Sequence, residues 1–274
     1  MPNSVTPFRW SVVALSVVLC SCSLADGSGD DLETLPLPLG TFNVLTRNYD
    51  NQRTGANLSE RTLQPSNVNS STFGKVFQLA VDDQIYAQLL YASAVSISGS
   101  THNVVYAATV NNSVYAFDAD AGGGALWKMN FNGAGRPPNH GEVGEACGSY
   151  NDFSGNMGIV GTPVIDANAQ LMYFVSRTVE SGAHVQRLHA IDIRTGNERA
   201  GGPKLLQFSS PGSGAGSSGG RISFDPKIHN QRSALALSGG VVYVAWASHC
   251  DTGPYHGWVV AFDAGSLAQT GVFN

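Results

Sequence analysis

Charge is scarce in this chain. Only 13% of its 274 residues are Asp, Glu, Lys or Arg, and 15 basic residues face 20 acidic ones. Binding to nucleic acid calls for a clustered basic surplus, so this balance argues against it. Long apolar runs are also missing. No stretch reaches the roughly 18 to 20 apolar residues of a membrane-spanning helix. Cysteine is limited to four residues, none adjacent to another in a Cys-Cys pair beside a site. Neither a Gly-x-Ser-x-Gly elbow nor a Walker-type loop occurs, and the Gly-rich GSGAGSSGG lacks the lysine a phosphate loop needs. Glycine is plentiful at 32 residues and 42% of the chain is hydrophobic. That is the composition of a compact, turn-rich β protein rather than a disordered one.

The first 21 residues stand apart. MPNSVTPFRW carries one charge, Arg9, and the apolar SVVALSVVLCSC follows, ending in small residues. This layout predicts a secretory signal over 1–21, with a buried N-terminal strand as the alternative. Leu19-Cys20-Ser21-Cys22 resembles the bacterial lipobox, which implies lipid attachment at Cys22; plain cleavage is the other reading. The expected destination is export across the inner membrane, as a periplasmic, outer-membrane or cell-surface lipoprotein, with the membrane engaged only through the lipid. Residues 22–46, rich in Gly, Asp and Pro, read as a flexible tether. Cys147 and Cys250 remain as candidates for a disulfide in an exported chain, or as two buried free thiols.

Internal repetition is the strongest signal in the chain. NSVYAFDADAGGGALWKMNF, VQRLHAIDIRTGNERAGG and GWVVAFDAGSLAQTGVFN align on Ala-x-Asp, placing Asp118, Asp192 and Asp263 in register. Each copy is preceded by a small-residue strand and then a strongly apolar run, NVVYAATV, QLMYFVSRT or GVVYVAWAS. One unit therefore reads as a four-stranded antiparallel meander, with blades at about 80–131, 158–208 and 230–274. The runs LMYFV and VVYVAWA do not alternate, so both faces of these strands are expected to be covered. Linkers such as SSPGSGAGSSGG cannot be crossover helices, so the covering layers must be other sheets. The expected fold is all-β: a β-propeller of four-stranded blades, about three of them present, in an incomplete ring.

The Ala-x-Asp corner has its own chemistry. A carboxylate at that position can accept from backbone N–H groups two or three residues on, and Gly122 or Gly196 can supply a positive φ. Asp118, Asp192 and Asp263 are thus expected to be structural corners. At these residues the chain resembles the pyrroloquinoline quinone (PQQ)-type propeller repeats, whose signature is Ala-x-Asp-x-x-Thr-Gly-x-x-x-Trp. Asp192, Thr195 and Gly196 match it, with Ala200 at the Trp place. The first copy keeps Asp118, Gly122 and Trp127, and the third keeps Ala261 and Asp263 but has Ser266-Leu267 for Thr-Gly. The resemblance covers about residues 47–274. It implies a Trp docked between neighbouring blades and an outer strand at Val76–Leu79.

For function, the resemblance implies two readings. One is a noncatalytic binding or scaffold module for a protein or carbohydrate, with association completing the propeller. The other is a fragment of a PQQ- and calcium-dependent quinoprotein dehydrogenase acting on alcohols or sugars. No catalytic or metal-ligating residue is assigned. NHGEVGEACGSYND and WASHCDTGPYHGW hold His140, Cys147, His249, Cys250 and His256, types that suit zinc or copper if the two loops converge. Packing around a disulfide is the plainer expectation. Asp82 and Asp83 read as solvated turn residues, and Trp246 and Trp258 as blade packing.

Overall fold

The computed structural model describes residues 42–143, 153 and 155–274. Cys22 and Cys147, and the whole predicted signal, lie outside them. Three consecutive antiparallel sheets follow one another along the chain. The first orders β1 (Asn43–Val44), β2 (Leu90–Ile97), β3 (Ser100–Ala108), β4 (Ser113–Asp118) and β5 (Ala125–Asn130) as neighbours. The second orders β6 (Val164–Asp166), β7 (Leu171–Glu180), β8 (Ala183–Asp192) and β9 (Lys204–Leu205). A hairpin of β10 (Ser209–Pro211) and β11 (Arg221–Ser223) interrupts the series. The third sheet holds β13 (Ala236–Ser238), β14 (Val241–Ser248), β15 (Trp258–Asp263) and β16 (Gln269–Phe273), with the short β12 (His229–Asn230) also on β14. Among the described residues the only helical pieces are two single 3-10 turns, His140–Glu142 and His249–Asp251.

These sheets are blades of an incomplete β-propeller because they bury their faces against one another. One core joins the first and second sheets, with Leu90, Val104, Tyr106 and Ala116 against Ile165, Met172, Phe174 and Ile191. A second core joins the second and third, with Tyr173, Val175 and Leu188 against Val242, Val244, Trp258 and Phe262. Successive β7 residues point to opposite sheet faces, so both neighbours are served by one strand. Its non-alternating apolar run follows from that double cover. β14 differs: Val242, Val244 and Trp246 are buried, while Tyr243 is 40% exposed. Only one of its faces is covered, against the expectation from its sequence, since among the described residues no sheet lies on the other side.

The three Asp corners share one bonding scheme. Asp118 Oδ1 accepts the N–H groups of Asp120 and Ala121, each at 2.8 Å. Asp192 Oδ1 accepts from Arg194 N at 2.7 Å, while its carbonyl takes the N–H of Gly196 at 2.8 Å. Asp263 Oδ1 accepts both the N–H and the hydroxyl of Ser266. In the first two corners a left-handed backbone falls on Gly122 and Gly196. In the third, Gly265 does not take that place, and Leu267 itself adopts φ +57°. An L side chain pays about 1 to 2 kcal/mol for that conformation. Burial of Leu267 in the core between the second and third sheets offsets it.

Two further expectations change. Val76–Leu79 form no strand; the segment instead lies over the outer face of the first sheet, with Leu79 and Val81 packed on Ala107, Tyr115 and Phe117. The edge position on β2 is filled by Asn43–Val44, so the folded chain takes in residues from the end of the expected tether. Asp82 lies in an exposed bend, as expected of a solvated turn residue, but its carboxylate is tied to the first sheet. It accepts from Thr109 Oγ1, Asn111 Nδ2 and Ser113 Oγ, and pairs with Lys128 at 3.3 Å. Burial pushes its carboxyl up, but the bonds from Ser113, Asn111 and Thr109 outweigh this and bring it down to about 2. A group depressed on folding stabilises above its unfolded value and loses that contribution as pH falls through the folded one. Asp82→Asn should therefore cost about 1 kcal/mol at pH 7, after allowance for solvent screening. The deficit should shrink between about pH 4 and pH 2. Urea melts of both proteins across that window check it, and a deficit independent of pH would contradict the assignment.

Candidate functional site

A cavity of about 470 Å³ opens where the loops of the two later blades meet. Its walls include Arg136, Glu142, Val179, His184, Lys227 and Thr252. β7 and β8 meet at a tight hairpin, Ser181-Gly182, which places Val179 and His184 at the rim. The 3-10 turn after Asn139 is held by a reciprocal cap, Gly141 N to Asn139 Oδ1 and Asn139 N to Glu142 Oε2. Arg136 then forks onto both oxygens of Glu142, at 2.6 and 3.0 Å. This pair holds the Glu142 carboxyl down at about 2.

Behind the wall lies Arg177, two residues along β7 from Val179 and only 1% exposed. Its guanidinium donates to Asn230 Oδ1 at 3.2 Å and to the carbonyl of Lys227 at 3.0 Å, while Nε has no hydrogen-bond partner. Among the described residues no carboxylate lies within ion-pair distance of it. Its charge is felt by the neighbouring imidazoles. Burial and then Arg177 push His184 down, and burial, Arg177 and His140 bring His249 to about 4. The two sequence-marked loops do converge here, through Gly141, Glu142 and Val143 of the first and Thr252 of the second. His256 goes elsewhere, its Nε2 bonding the Ala215 carbonyl at 2.7 Å. Cys250 is disulfide-bonded, whereas Cys147 lies outside the described residues. His184 and Arg177 escaped the sequence reading. Arg177 had a usable signal, a lone basic residue inside the apolar run LMYFVSRTV.

A second constellation has catalytic spacing without access. Glu198 Oε2 lies 2.6 Å from His189 Nδ1, and His189 Nε2 lies 2.8 Å from Ser176 Oγ. Such a chain can activate a serine. Ser176 and His189 are buried, however, with Phe131 and Phe174 packed on the imidazole at 5.0 and 4.8 Å. No reacting carbonyl can approach Oγ, and the three groups serve the core between blades.

The blade joints complete the picture. Ile193, next to the Asp192 corner, offers its carbonyl to Tyr106 Oη at 3.0 Å and Trp127 Nε1 at 3.1 Å, both from the preceding blade. Ala264, next to Asp263, likewise accepts from Tyr173 Oη at 3.1 Å and Arg199 Nη1 at 3.2 Å. Arg199 thus supplies the second donor in the blade that has Ala200 at the Trp place. Strand register makes the tyrosines equivalent: Tyr106 faces Ala116, Tyr173 faces Ala190 and Tyr243 faces Ala261. Tyr106 and Tyr173 are almost wholly buried; Tyr243 is not. Trp246 and Trp258 sit in the core between the second and third sheets, bonded to Gln186 and His229.

Among the described residues no group of three or more His, Cys, Asp or Glu side chains is arranged to hold a metal ion. Asp118, Asp192 and Asp263 each accept hydrogen bonds from their own turns.

No protein-family model and no curated protein matches the chain. Among solved structures it is similar to the quinohemoprotein alcohol dehydrogenase ADHIIG from Pseudomonas putida HK5, at 11% identity and TM-score 0.39, over 68% of this chain and 30% of that one. It is similar to the quinohemoprotein alcohol dehydrogenase from Comamonas testosteroni at 12% identity and TM-score 0.36, over 70% of this chain and 35% of that one. The chain thus spans about a third of their length. At this level the likeness transfers no activity, cofactor or residue role.

Proposed function

We propose that the protein is an exported, lipid-anchored binding or scaffold module of PQQ-like propeller type, whose third blade receives a further β-meander. The basic-apolar-small N-terminus and its lipobox-like Cys22 support export and anchoring. One observation carries the binding role: Tyr243 repeats the register of Tyr106 and Tyr173 but has no blade against it. Val259 and Phe273 extend the same exposed apolar side of the third sheet. The occupant is defined by continuity with the two existing joints. It is a four-stranded antiparallel meander with an Asp corner, offering the carbonyl after that Asp to the Tyr243 hydroxyl.

Tyrosine nitration of the full-length protein in its native membrane fraction tests this. Tyr243 should be protected there and should become reactive on purification, while Tyr106 and Tyr173 stay unreactive in both. Val259→Lys, which puts a charge in the joint, should expose Tyr243 in the membrane fraction as well. Equal reactivity of Tyr243 in every fraction would overturn the proposal. Protection that persists in a purified homodimer would also overturn it, by assigning the face to a second copy.

A further inference from the structure

Among the described residues, the cavity at the loop end holds more positive charge than its own acidic groups neutralise. Arg136 and Glu142 cancel as a two-pronged pair. Asp225 Oδ1 accepts the backbone N–H of Lys227 at 2.8 Å, which leaves one negative charge at the margin. Against it stand Lys227 on the wall and Arg177 behind it, neither with an ion-pair partner among the described residues. A buried guanidinium with no counter-charge is costly and ordinarily meets an anion. Just beneath the wall lie polar atoms without partners, which a side-chain rotation of Thr252 or His184 turns toward the cavity. Thr252 Oγ1 and His184 Nδ1 are both sequestered from solvent and bond to nothing. Each can serve an oxyanion, the hydroxyl as donor and the imidazole through whichever tautomer carries the proton on Nδ1.

From this we infer that the cavity is a binding site for a small organic anion carrying a carboxylate or phosphate group. The anionic head meets Lys227, Thr252 and His184, and Arg177 completes its field from behind. A volume of about 470 Å³ admits a small metabolite, not a polymer. The site is separate from the open face of the third blade, so either reading can fail while the other stands.

Calorimetric titration of the full-length protein with inorganic phosphate and with succinate, at low ionic strength and pH 7, tests the inference and distinguishes the two head groups. Saturable binding of at least one is expected, weakening as salt is raised. Lys227→Gln should weaken it roughly tenfold, the loss expected for one charge-assisted bond. Thr252→Val should weaken it about three- to tenfold by the same measure for a neutral donor. Lys75→Gln, a change far along the sequence in the outer segment, should leave it unaltered. Arg177→Met risks the fold, which is why the exposed Lys227 carries the decision. No binding of either anion at millimolar concentration, or equal binding by Lys227→Gln and the unaltered protein, would overturn the assignment.

Discussion

Replacement of Trp258 by alanine is expected to remove about 4 kcal/mol of stability, within the range for emptying a buried tryptophan site. The indole is 1% exposed and lies at the centre of the core between the second and third sheets. Phe208 packs on it at 5.2 Å and Phe224 at 6.3 Å, both from the segment that links the two blades. Its Nε1 donates to His229 Nε2 at 3.3 Å, a buried bond whose loss leaves the imidazole nitrogen unsatisfied. The cavity cannot collapse easily, because Val244, Val260 and Phe262 are fixed in paired strands around it. Phe273→Ala is the control. That ring is 73% exposed on the open side of the same sheet, and its removal should change stability by no more than about 0.5 kcal/mol. Urea midpoints of the two variants make the comparison. Similar values would mean that the third blade is not held by its inner face.

The contrast between those two residues also marks what was legible in the sequence. Repetition of Ala-x-Asp at Asp118, Asp192 and Asp263 was enough for the fold, because each corner is made by local bonds between neighbours in sequence. The cover on β14 was not legible. VVYVAWA has the same apolar content as LMYFV, yet only β7 lies between two sheets. Composition reports what a strand can bury against, and the presence of a partner is a separate fact. Val76–Leu79 was misplaced for a related reason. Apolar residues that pack flat on a finished sheet leave the same trace as residues that pair with its edge. The cavity was half legible. The loops that bring Glu142 and Thr252 to the cavity stand out in the sequence through His140 and His249, but His184 joins that wall only through the β7–β8 hairpin, which no local pattern encodes.

Gly196→Val should cost roughly 3 to 5 kcal/mol, the sum of a left-handed β-branched residue and an overfilled joint. Gly196 has φ +74°, and a Cβ there would lie 2.7 Å from both the Trp127 ring and Met129 Cγ. Those two side chains belong to β5 of the preceding blade, and Trp127 is bonded to the Ile193 carbonyl three residues before Gly196. A valine therefore cannot relieve its contact without lengthening that bond, which Tyr106 shares. Gly122→Val gives the discriminating comparison. Its φ is +69°, so the backbone penalty is nearly the same, but its neighbour is the Phe77 ring in a segment that forms no strand. Phe77 is 36% exposed and can swing outward, so about 1 to 3 kcal/mol of backbone strain should remain. If the two variants melt together, the Asp192 corner is only a local turn. If Gly196→Val is the weaker by 2 kcal/mol or more, the corner is the joint that fastens one blade to the next. The free Tyr243 hydroxyl is then the donor half of a joint of the same design.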